Sequence, residues 1–90
     1  MNENKIVVLK EDYLLERIDG EITIYHPTLT TAVYLNETGA LIWELCDGTR
    51  TIGNIIELLS EHYPESSEQI ETDVKQLIAQ LIEHDIGELN

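Results

Sequence analysis

The chain has 90 residues, 42% of them hydrophobic, and a formal net charge of −13 from 18 acidic and 5 basic side chains. This length predicts a single domain over residues 1–90, and the apolar fraction is enough for a small packed core. So negative a surface repels phosphate groups, which excludes nucleic acids and anionic membranes as expected partners. The sequence has no apolar run that could span a bilayer, no secretory pattern and one cysteine, Cys46. We therefore expect a cytoplasmic protein without a disulfide.

The first third of the chain has the pattern of β-strands. Asp19-Gly20 is a two-residue signal for a tight hairpin turn between two of them, and Pro27 ends the second because it cannot donate a ladder hydrogen bond. The last predicted strand of this region is rich in the β-branched and aromatic side chains that strands favour. The predicted strands cover residues 5–9, 13–18, 21–26 and 30–35.

After Asn36 the spacing of apolar residues becomes helical. Asn36 and Thr51 are the expected N-caps of the first two helices, because their side-chain oxygens can accept hydrogen bonds from free backbone amides. Pro64 separates the second helix from the third, where Ser66 with Gln69 predicts a capping box. Apolar residues then recur at a spacing of three to four along the last helix: Ile70, Val74, Leu77, Ile78, Leu81 and Ile82.

This order of elements defines the expected fold class. Strands followed by helices predict an α+β domain of winged helix-turn-helix-like type, in which an N-terminal three-stranded antiparallel sheet precedes three α-helices. The chain has no internal repeat, linker or low-complexity tract that would divide it further.

The sequence contains no residue pattern typical of catalysis or of metal binding. His26, His62 and His84 fall in separate elements, without a second ligand at zinc spacing. Cys46 lies beside Asp47 at the end of the first helix, where negative charge raises a thiol pKa and opposes its use as a nucleophile. We therefore predict no catalytic residue, no metal site and no cofactor.

One segment, AVYLNETGALIWELCDG at residues 32–48, is distinctive. It joins a strand that ends in Leu35 to a helix that Asn36 caps and that bears Trp43. Together with the Thr-capped helix that follows, the segment closely resembles the PqqD family, whose members carry the pattern LNxTGxxIW.L.DG..T...I...L...Y. The resemblance covers residues 15–90, and the motif residues themselves are chiefly architectural.

The resemblance implies that the protein is a peptide-binding adaptor. PqqD-like domains bind the leader region of a ribosomally made precursor peptide and present it to a modifying enzyme, often a radical-SAM protein. The leader adds as a strand to the third strand of the sheet, in the groove between that strand and the last helix. On the strand side, the implied peptide-binding residues are Thr30, Thr31, Ala32, Val33, Tyr34 and Leu35. On the helix side, they are Ile70, Asp73, Val74, Leu77, Ile78 and Leu81.

The residues of the predicted strand at 30–35 agree with this mode of binding. Thr30, Thr31 and Ala32 are small and uncharged, and this stretch has none of the lysines or prolines that protect an exposed edge. An edge covered by the domain's own N-terminus or by a dimer partner is the alternative. The apolar residues of the last helix cover a wide arc. This arc fits one row of side chains that faces the core and a second row that faces a groove, although burial of all of these side chains explains it equally. Glu88 departs from the family's apolar ending and predicts that the last residues fray.

Two other functions stay open at this point. A winged-helix transcription regulator would have a similar fold, but its second helix would need basic residues where this chain has Asn54 and several acids. A structural dimerisation module without a peptide ligand is the other alternative. The pathway is also open, since relatives serve PQQ, lasso-peptide and other pathways. The modifying enzyme is either of the radical-SAM type or a leader peptidase and cyclase system. A homodimer and a binding role for the acidic surface are likewise left open.

Overall fold

The computed structural model describes residues 1–30 and 32–90, so Thr31 of the predicted binding strand lies outside the described residues. The elements in chain order are β1 (Val7–Leu9), β2 (Leu14–Ile18), β3 (Glu21–Tyr25), β4 (Ala32–Leu35), α1 (Glu37–Leu45), α2 (Ile52–His62), a 3-10 turn (Pro64–Ser66), α3 (Ser67–Glu83) and β5 (Gly87–Leu89). The prediction of an α+β domain with a three-stranded antiparallel sheet followed by three helices is confirmed. The observed fold is loosely similar to a winged helix-turn-helix domain.

The main sheet has the strand order β2-β3-β4, which places β4 at one edge. Asp19 and Gly20 join β2 to β3 with φ angles of 50° and 83°, as a tight primed hairpin turn requires. The pairing of β3 with β4 sets Ile24 opposite Val33, and both side chains are buried. Tyr34 is next along β4, points to the other face of the sheet and is 71% exposed. One face of the sheet therefore forms the core, and the other faces solvent.

A second, two-stranded sheet ties the two ends of the described chain together. β1 pairs with β5 in antiparallel fashion, and Ile6 and Asn90 exchange backbone hydrogen bonds of 3.1 and 2.9 Å. The expected fraying of the last residues is therefore wrong. Ile86 is completely buried just before β5, and the acid at Glu88 is accommodated because its side chain is exposed. The predicted strand at residues 5–9 is present as β1, and because it pairs with β5 it does not cover β4.

Side-chain caps begin the first two helices, as the sequence predicts. The Oδ1 atom of Asn36 accepts a hydrogen bond of 2.7 Å from the backbone amide of Gly39 at the start of α1. Thr51 and Asn54 cap each other's backbone amides at the start of α2, with bonds of 3.1 and 3.2 Å. These bonds satisfy amides that the first turn of a helix otherwise leaves free, so both helix starts are fixed by local sequence.

The predicted capping box at the start of α3 is wrong. Ser66 forms no side-chain cap bond, because Pro64 opens a 3-10 turn that leads directly into the helix. The side chain of Gln69 instead points along α3, where its Nε2 donates a hydrogen bond of 2.8 Å to the carboxylate of Asp73. The first turns of α3 are therefore stabilised by a hydrogen bond between two of their own polar side chains.

The residues before β1 lie across the N-terminus of α2. The backbone amides of Ile52 and Gly53 donate to the carbonyl oxygens of Lys5 and Glu3, at 2.9 and 2.8 Å. A Cβ on Gly53 would lie only 3.2 Å from the Glu3 carbonyl oxygen, so glycine favours this close approach of the backbone. Glu3 and Lys5 are thus bound to the start of α2, and the residues from Ile6 onward pair with β5 and Asn90.

The hydrophobic core draws residues from both sheets and from all three helices. Its buried members are Val7, Ile24, Val33, Ile42, Cys46, Ile52, Ile55, Leu59, Ile70, Val74, Leu77, Ile78, Leu81 and Ile86. The helix α3 contributes more of these than any other element, because it packs against α1, α2 and β5. Within the described residues, no helix is long and apolar enough to cross a membrane.

Candidate functional site

A groove runs between the C-terminal end of β4 and the exposed side of α3. This strand groove encloses about 160 Å³. Its walls come from the end of β4, the first half of α1 and the middle of α3. The lining residues are Tyr34, Leu35, Asn36, Gly39, Ile42, Asp73, Gln76, Leu77 and Gln80.

The strand side of the groove has an open backbone edge. β4 pairs with β3 on one side, and among the described residues no strand pairs with its other side. Because the polar groups of a strand alternate in direction, this edge directs unpaired amides and carbonyls outward beside the groove. Val33 is buried beneath the edge, and Leu35 is half-buried at the groove wall. The edge therefore offers main-chain hydrogen bonds next to a partly apolar wall.

The motif that joins β4 to α1 fixes the position of this wall. Gly39 is buried in the first turn of α1, and a Cβ there would lie 3.3 Å from both the Cβ of Leu35 and the Oδ1 of Asn36. A side chain at this position would have to push Leu35 or Asn36 aside by a few tenths of an ångström, so glycine suits the close start of α1. Asn36 and Gly39 therefore set the angle between β4 and α1, and with it the shape of the groove.

The predicted residues of the last helix divide into two sets. Asp73 and Leu77 line the strand groove together with Tyr34 and Leu35, and Leu77 also belongs to the buried core. Val74, Ile78 and Leu81 are completely buried and belong to the core beneath the groove. Ile70 is buried too and lies outside the groove, nearer the start of α3. The structure thus brings four of the predicted side chains together. Of the other described ones, Thr30 precedes β4, Ala32 is exposed on the strand, and Val33, Ile70, Val74, Ile78 and Leu81 are buried.

Sequence reasoning missed two polar residues of the groove, Gln76 and Gln80. Both are exposed. Gln76 follows Asp73 by three residues and Gln80 follows Gln76 by four, so the three side chains form one row along α3. Glutamine carries both donors and acceptors and suits contacts with a peptide backbone. The three-to-four spacing after Asp73 was the signal that could have identified them.

The charge around the groove is negative. Lys10, Arg17, Arg50 and Lys75 each form an ion pair with an acid of the same chain. The lining of the groove contains Asp73 and no basic residue. A bound segment with a basic or uncharged side chain near Asp73 therefore suits the site better than an acidic one.

Cys46, buried just after α1, is held in its neutral form. Burial, reinforced by the negative charge of Asp47, raises the pKa of the Cys46 thiol to about 12, so the thiol is protonated at neutral pH. In the part of the chain that the structure describes, no three His, Cys, Asp or Glu side chains are grouped so as to hold a metal ion. The described geometry offers binding surfaces, formed by a strand edge and a groove.

An open edge strand beside a helix-bounded groove is the architecture of domains that take up an extended peptide as an added strand. The family model described as "Coenzyme PQQ synthesis protein D (PqqD)" matches residues 21–86, and the chain belongs to this family. The resemblance that the segment at residues 32–48 indicated is thereby confirmed.

Relatives and a solved structure agree with this assignment. A "PqqA binding protein" of Rahnella aquatilis is 46% identical over 46 residues, which cover 51% of this chain and 47% of that protein. A protein of the same description from Klebsiella pneumoniae (strain 342) is 33% identical over 69 residues, 73% of this chain and 72% of the relative. The chain thus spans about half the length of the first relative and about three quarters of the second. Among solved structures, "TbiB1 in Complex with the TbiA(beta) Leader Peptide" shares the fold, with a TM-score of 0.69 over 89% of this chain and 93% of the other at 20% identity.

Proposed function

We propose that this protein is a non-catalytic adaptor that binds the leader of a ribosomally synthesised precursor peptide by strand addition and delivers it to a modifying enzyme. The observation that carries the proposal is the unpaired edge of β4 beside the strand groove. Two relatives are described as binding PqqA, and a protein of similar fold was solved with a leader peptide, which supports the same ligand class.

In the proposed complex, the leader lies extended along β4. Its backbone pairs with Ala32–Leu35 and continues along Thr30 and Thr31. Four strand residues span roughly 13 Å at about 3.3 Å per residue, so a short peptide segment is enough to fill the edge. Alternate side chains of this segment turn toward the strand groove, where Leu35 and Leu77 form its apolar part.

Backbone pairing and side-chain burial have separate roles in this complex. Main-chain hydrogen bonds fix the register of the leader and supply affinity without regard to sequence. An apolar anchor the size of leucine contributes about 1.5–3 kcal/mol when it is fully buried in such a groove. The row formed by Asp73, Gln76 and Gln80 then selects the polar residues that neighbour the anchor.

The chemistry of the pathway lies with a partner enzyme in this proposal. In this proposal the adaptor itself leaves the peptide unchanged; the Cys46 thiol is protonated, and the described residues hold no cluster of three metal-ligating side chains. A radical-SAM enzyme is the proposed partner, with a leader peptidase and cyclase system as its alternative. The acidic surface outside the groove is available to a basic patch on that enzyme. Because the leader is bound soon after it is made on ribosomes, we propose the cytoplasm as the site of action.

A transcription regulator of the winged-helix type is disfavoured by the described surface. The exposed side of α2 carries Asn54, Glu57 and Glu61, and the hairpin between β2 and β3 presents Asp19 and Glu21. DNA binding depends on cations that neutralise phosphates, and both of these surfaces are negative instead. A dimerisation module also finds no support in these charges, since two copies of so acidic a chain repel each other.

Amide chemical shifts of the isotope-labelled protein, followed during titration with synthetic leader peptides, test the proposal. We expect shifts along β4 and in residues 73–80 of α3, with β1 and β5 unchanged. Binding that shifts only residues outside β4 and the strand groove would overturn the strand-addition model. Sedimentation at several concentrations, with and without peptide, tests the dimer alternative in the same samples.

A further inference from the structure

A second hollow lies next to the strand groove, where the end of α2 and the starts of α1 and α3 meet. This helix hollow encloses about 300 Å³. Two large side chains at its rim are left partly open: Leu41 is 39% exposed and Tyr63 is 45% exposed. Its lining residues are Glu37, Thr38, Leu41, Leu59, Tyr63, Ser66, Gln69, Ile70 and Asp73.

The walls of the helix hollow are fixed by backbone structure. Tyr63 ends α2, and its amide donates to the Leu59 carbonyl at 2.9 Å. The amide of Ser66 donates to the Tyr63 carbonyl at 3.0 Å, which closes the 3-10 turn around the tyrosine. The hollow is therefore formed by helix ends in a fixed arrangement, and the partly exposed rim is available for a further contact.

The helix hollow lies next to the strand groove along α3. Asp73 borders both of them, and the first half of α1 separates them with Gly39 on one side and Leu41 on the other. Along α3, the two sites are centred near Ile70 and Leu77, which lie roughly 10 Å apart at 1.5 Å per helical residue. An extended peptide covers that distance in about three residues. The hollow is therefore within reach of a leader that extends a few residues beyond the C-terminal end of β4.

We propose that the helix hollow binds a second apolar anchor of the same leader, located three or four residues before the anchor that fills the strand groove. This proposal rests on the proposed function, because it extends the same peptide beyond its paired segment. The position before the first anchor follows from strand direction. Each described strand pair of this protein is antiparallel, and antiparallel addition places the earlier residues of the leader at the C-terminal end of β4.

The charges around the helix hollow define the residue next to this anchor. Glu37 is paired with Arg17, whose Nη1 lies 2.9 Å from each of its carboxylate oxygens. The carboxylate of Asp73 accepts a bond from the neutral amide of Gln69, and none of the ion pairs among the described residues includes it. A lysine or arginine adjacent to the anchor would supply the missing cation. The proposed occupant is therefore a leucine-like or aromatic side chain beside a basic residue.

Selection from a display library of random linear peptides tests this inference without knowledge of the natural leader. The wild-type protein is compared with Leu41→Ser and Tyr63→Ser, which shorten the rim of the helix hollow. Ile18→Ser is the matched control, since Ile18 is 57% exposed at the end of β2, outside both sites. We expect wild type and the control to enrich peptides with two apolar anchors three or four residues apart. The two hollow variants should enrich peptides with a single anchor.

The affinities of wild type and variants for one enriched peptide then measure the coupling energy between Leu41 of the hollow and the first anchor of the peptide. Leu41→Ser should weaken binding roughly tenfold, as loss of a partly buried apolar contact predicts. Alanine at the first anchor of the peptide should have the same effect, and both changes together should cause little further loss, because they remove the same contact. Asp73→Asn should remove the preference for a basic neighbour. Thermal unfolding of each variant establishes that it is folded.

The alternative outcomes separate the inference from the function on which it rests. Wild-type binders with a single anchor, or equal affinity of wild type and Leu41→Ser, would overturn the second anchor and leave strand addition at β4 in place. A wild-type protein that enriches no peptide would contradict the proposed function itself. A concentration-dependent dimer that Tyr63→Ser abolishes would assign the hollow to a second copy of the chain and overturn the inference.

Discussion

A Cβ placed on Gly39 would lie 3.3 Å from the Cβ of Leu35, so the first turn of α1 packs directly on the end of the edge strand. This contact joins the architecture of the domain to its proposed binding site. Leu35 lines the strand groove, and Gly39 determines how near α1 comes to it. A change at the glycine therefore affects folding and peptide binding together.

The substitution Gly39→Ala tests this relationship. In an exposed helix, the change would stabilise by about 1 kcal/mol through helix propensity. Here the added methyl group meets Leu35 and the capping oxygen of Asn36, so we expect a net loss of about 1 kcal/mol and weaker peptide binding. Glu44→Ala, an exposed change in α1, is the control for propensity. Chemical denaturation and peptide titration measure the two effects, and a stabilised Gly39→Ala variant would contradict the close contact.

Strand addition predicts a period of two along the bound leader. Replacing single peptide amides by N-methyl amides should weaken binding at alternate positions of the segment that lies on β4, because every second amide faces the strand. The intervening positions should tolerate the change. Isothermal titration calorimetry with a set of such peptides provides the measurement, and an effect that is uniform or aperiodic would show that the peptide does not pair as a strand.

Gln80 and Leu81 are neighbours on α3 and should behave in opposite ways. Gln80→Ala removes an exposed side chain of the strand groove and should weaken peptide binding with little change in stability. Leu81→Ala leaves a cavity in the core and should lower the free energy of unfolding by about 2–5 kcal/mol. Peptide affinity of the folded Leu81→Ala protein should stay near that of wild type. If instead the leucine variant were stable and failed to bind, its side chain would belong to the site.

The two-stranded sheet of β1 and β5 should contribute to stability. Ile86→Ala removes a completely buried side chain beside β5, and we expect a loss of about 2–5 kcal/mol. Glu88→Gln keeps the paired backbone and changes only an exposed side chain, so it should remain close to wild type. Urea unfolding of both variants makes the comparison. A stable Ile86→Ala protein would indicate that the end of the chain frays after all.

Cys46 should make the protein sensitive to alkaline pH. Its pKa is raised from 9.0 to about 12, so the folded state keeps a proton that the unfolded chain releases above about pH 9. The stabilising effect of the neutral thiol is therefore complete below pH 9 and declines as the pH rises from 9 toward 12. Cys46→Ala should show a smaller decline over this interval than wild type. Parallel unfolding curves at pH 8 and pH 10 provide the check, and identical declines would contradict the assignment.

The elements that depend on local sequence were predictable. The hairpin at Asp19-Gly20 and the caps at Asn36 and Thr51 each depend on residues within a few positions of one another. Their chemistry is readable without tertiary structure. Ser66 shows the limit of this reasoning, because the same residue types serve a 3-10 turn when a proline precedes them.

The features that depend on distant contacts were not predictable from the pattern. The pairing of β1 with β5 joins segments from opposite ends of the described chain. The acidic Glu88 suggested an exposed, frayed end, although Ile86, two residues earlier, is buried. On α3, the wide apolar arc was compatible with a row of side chains that face a groove. Val74 and Ile78 instead belong to the core, because several elements pack around the helix. Periodicity shows which residues share a face, and only the packed fold shows what covers that face.

The reciprocal bonds between Ile6 and Asn90 have a consequence for how the domain is carried. They place Asn90 beside Ile6, at the start of β1. A segment that follows Asn90 would therefore leave the domain beside the two-stranded sheet, which does not include β4.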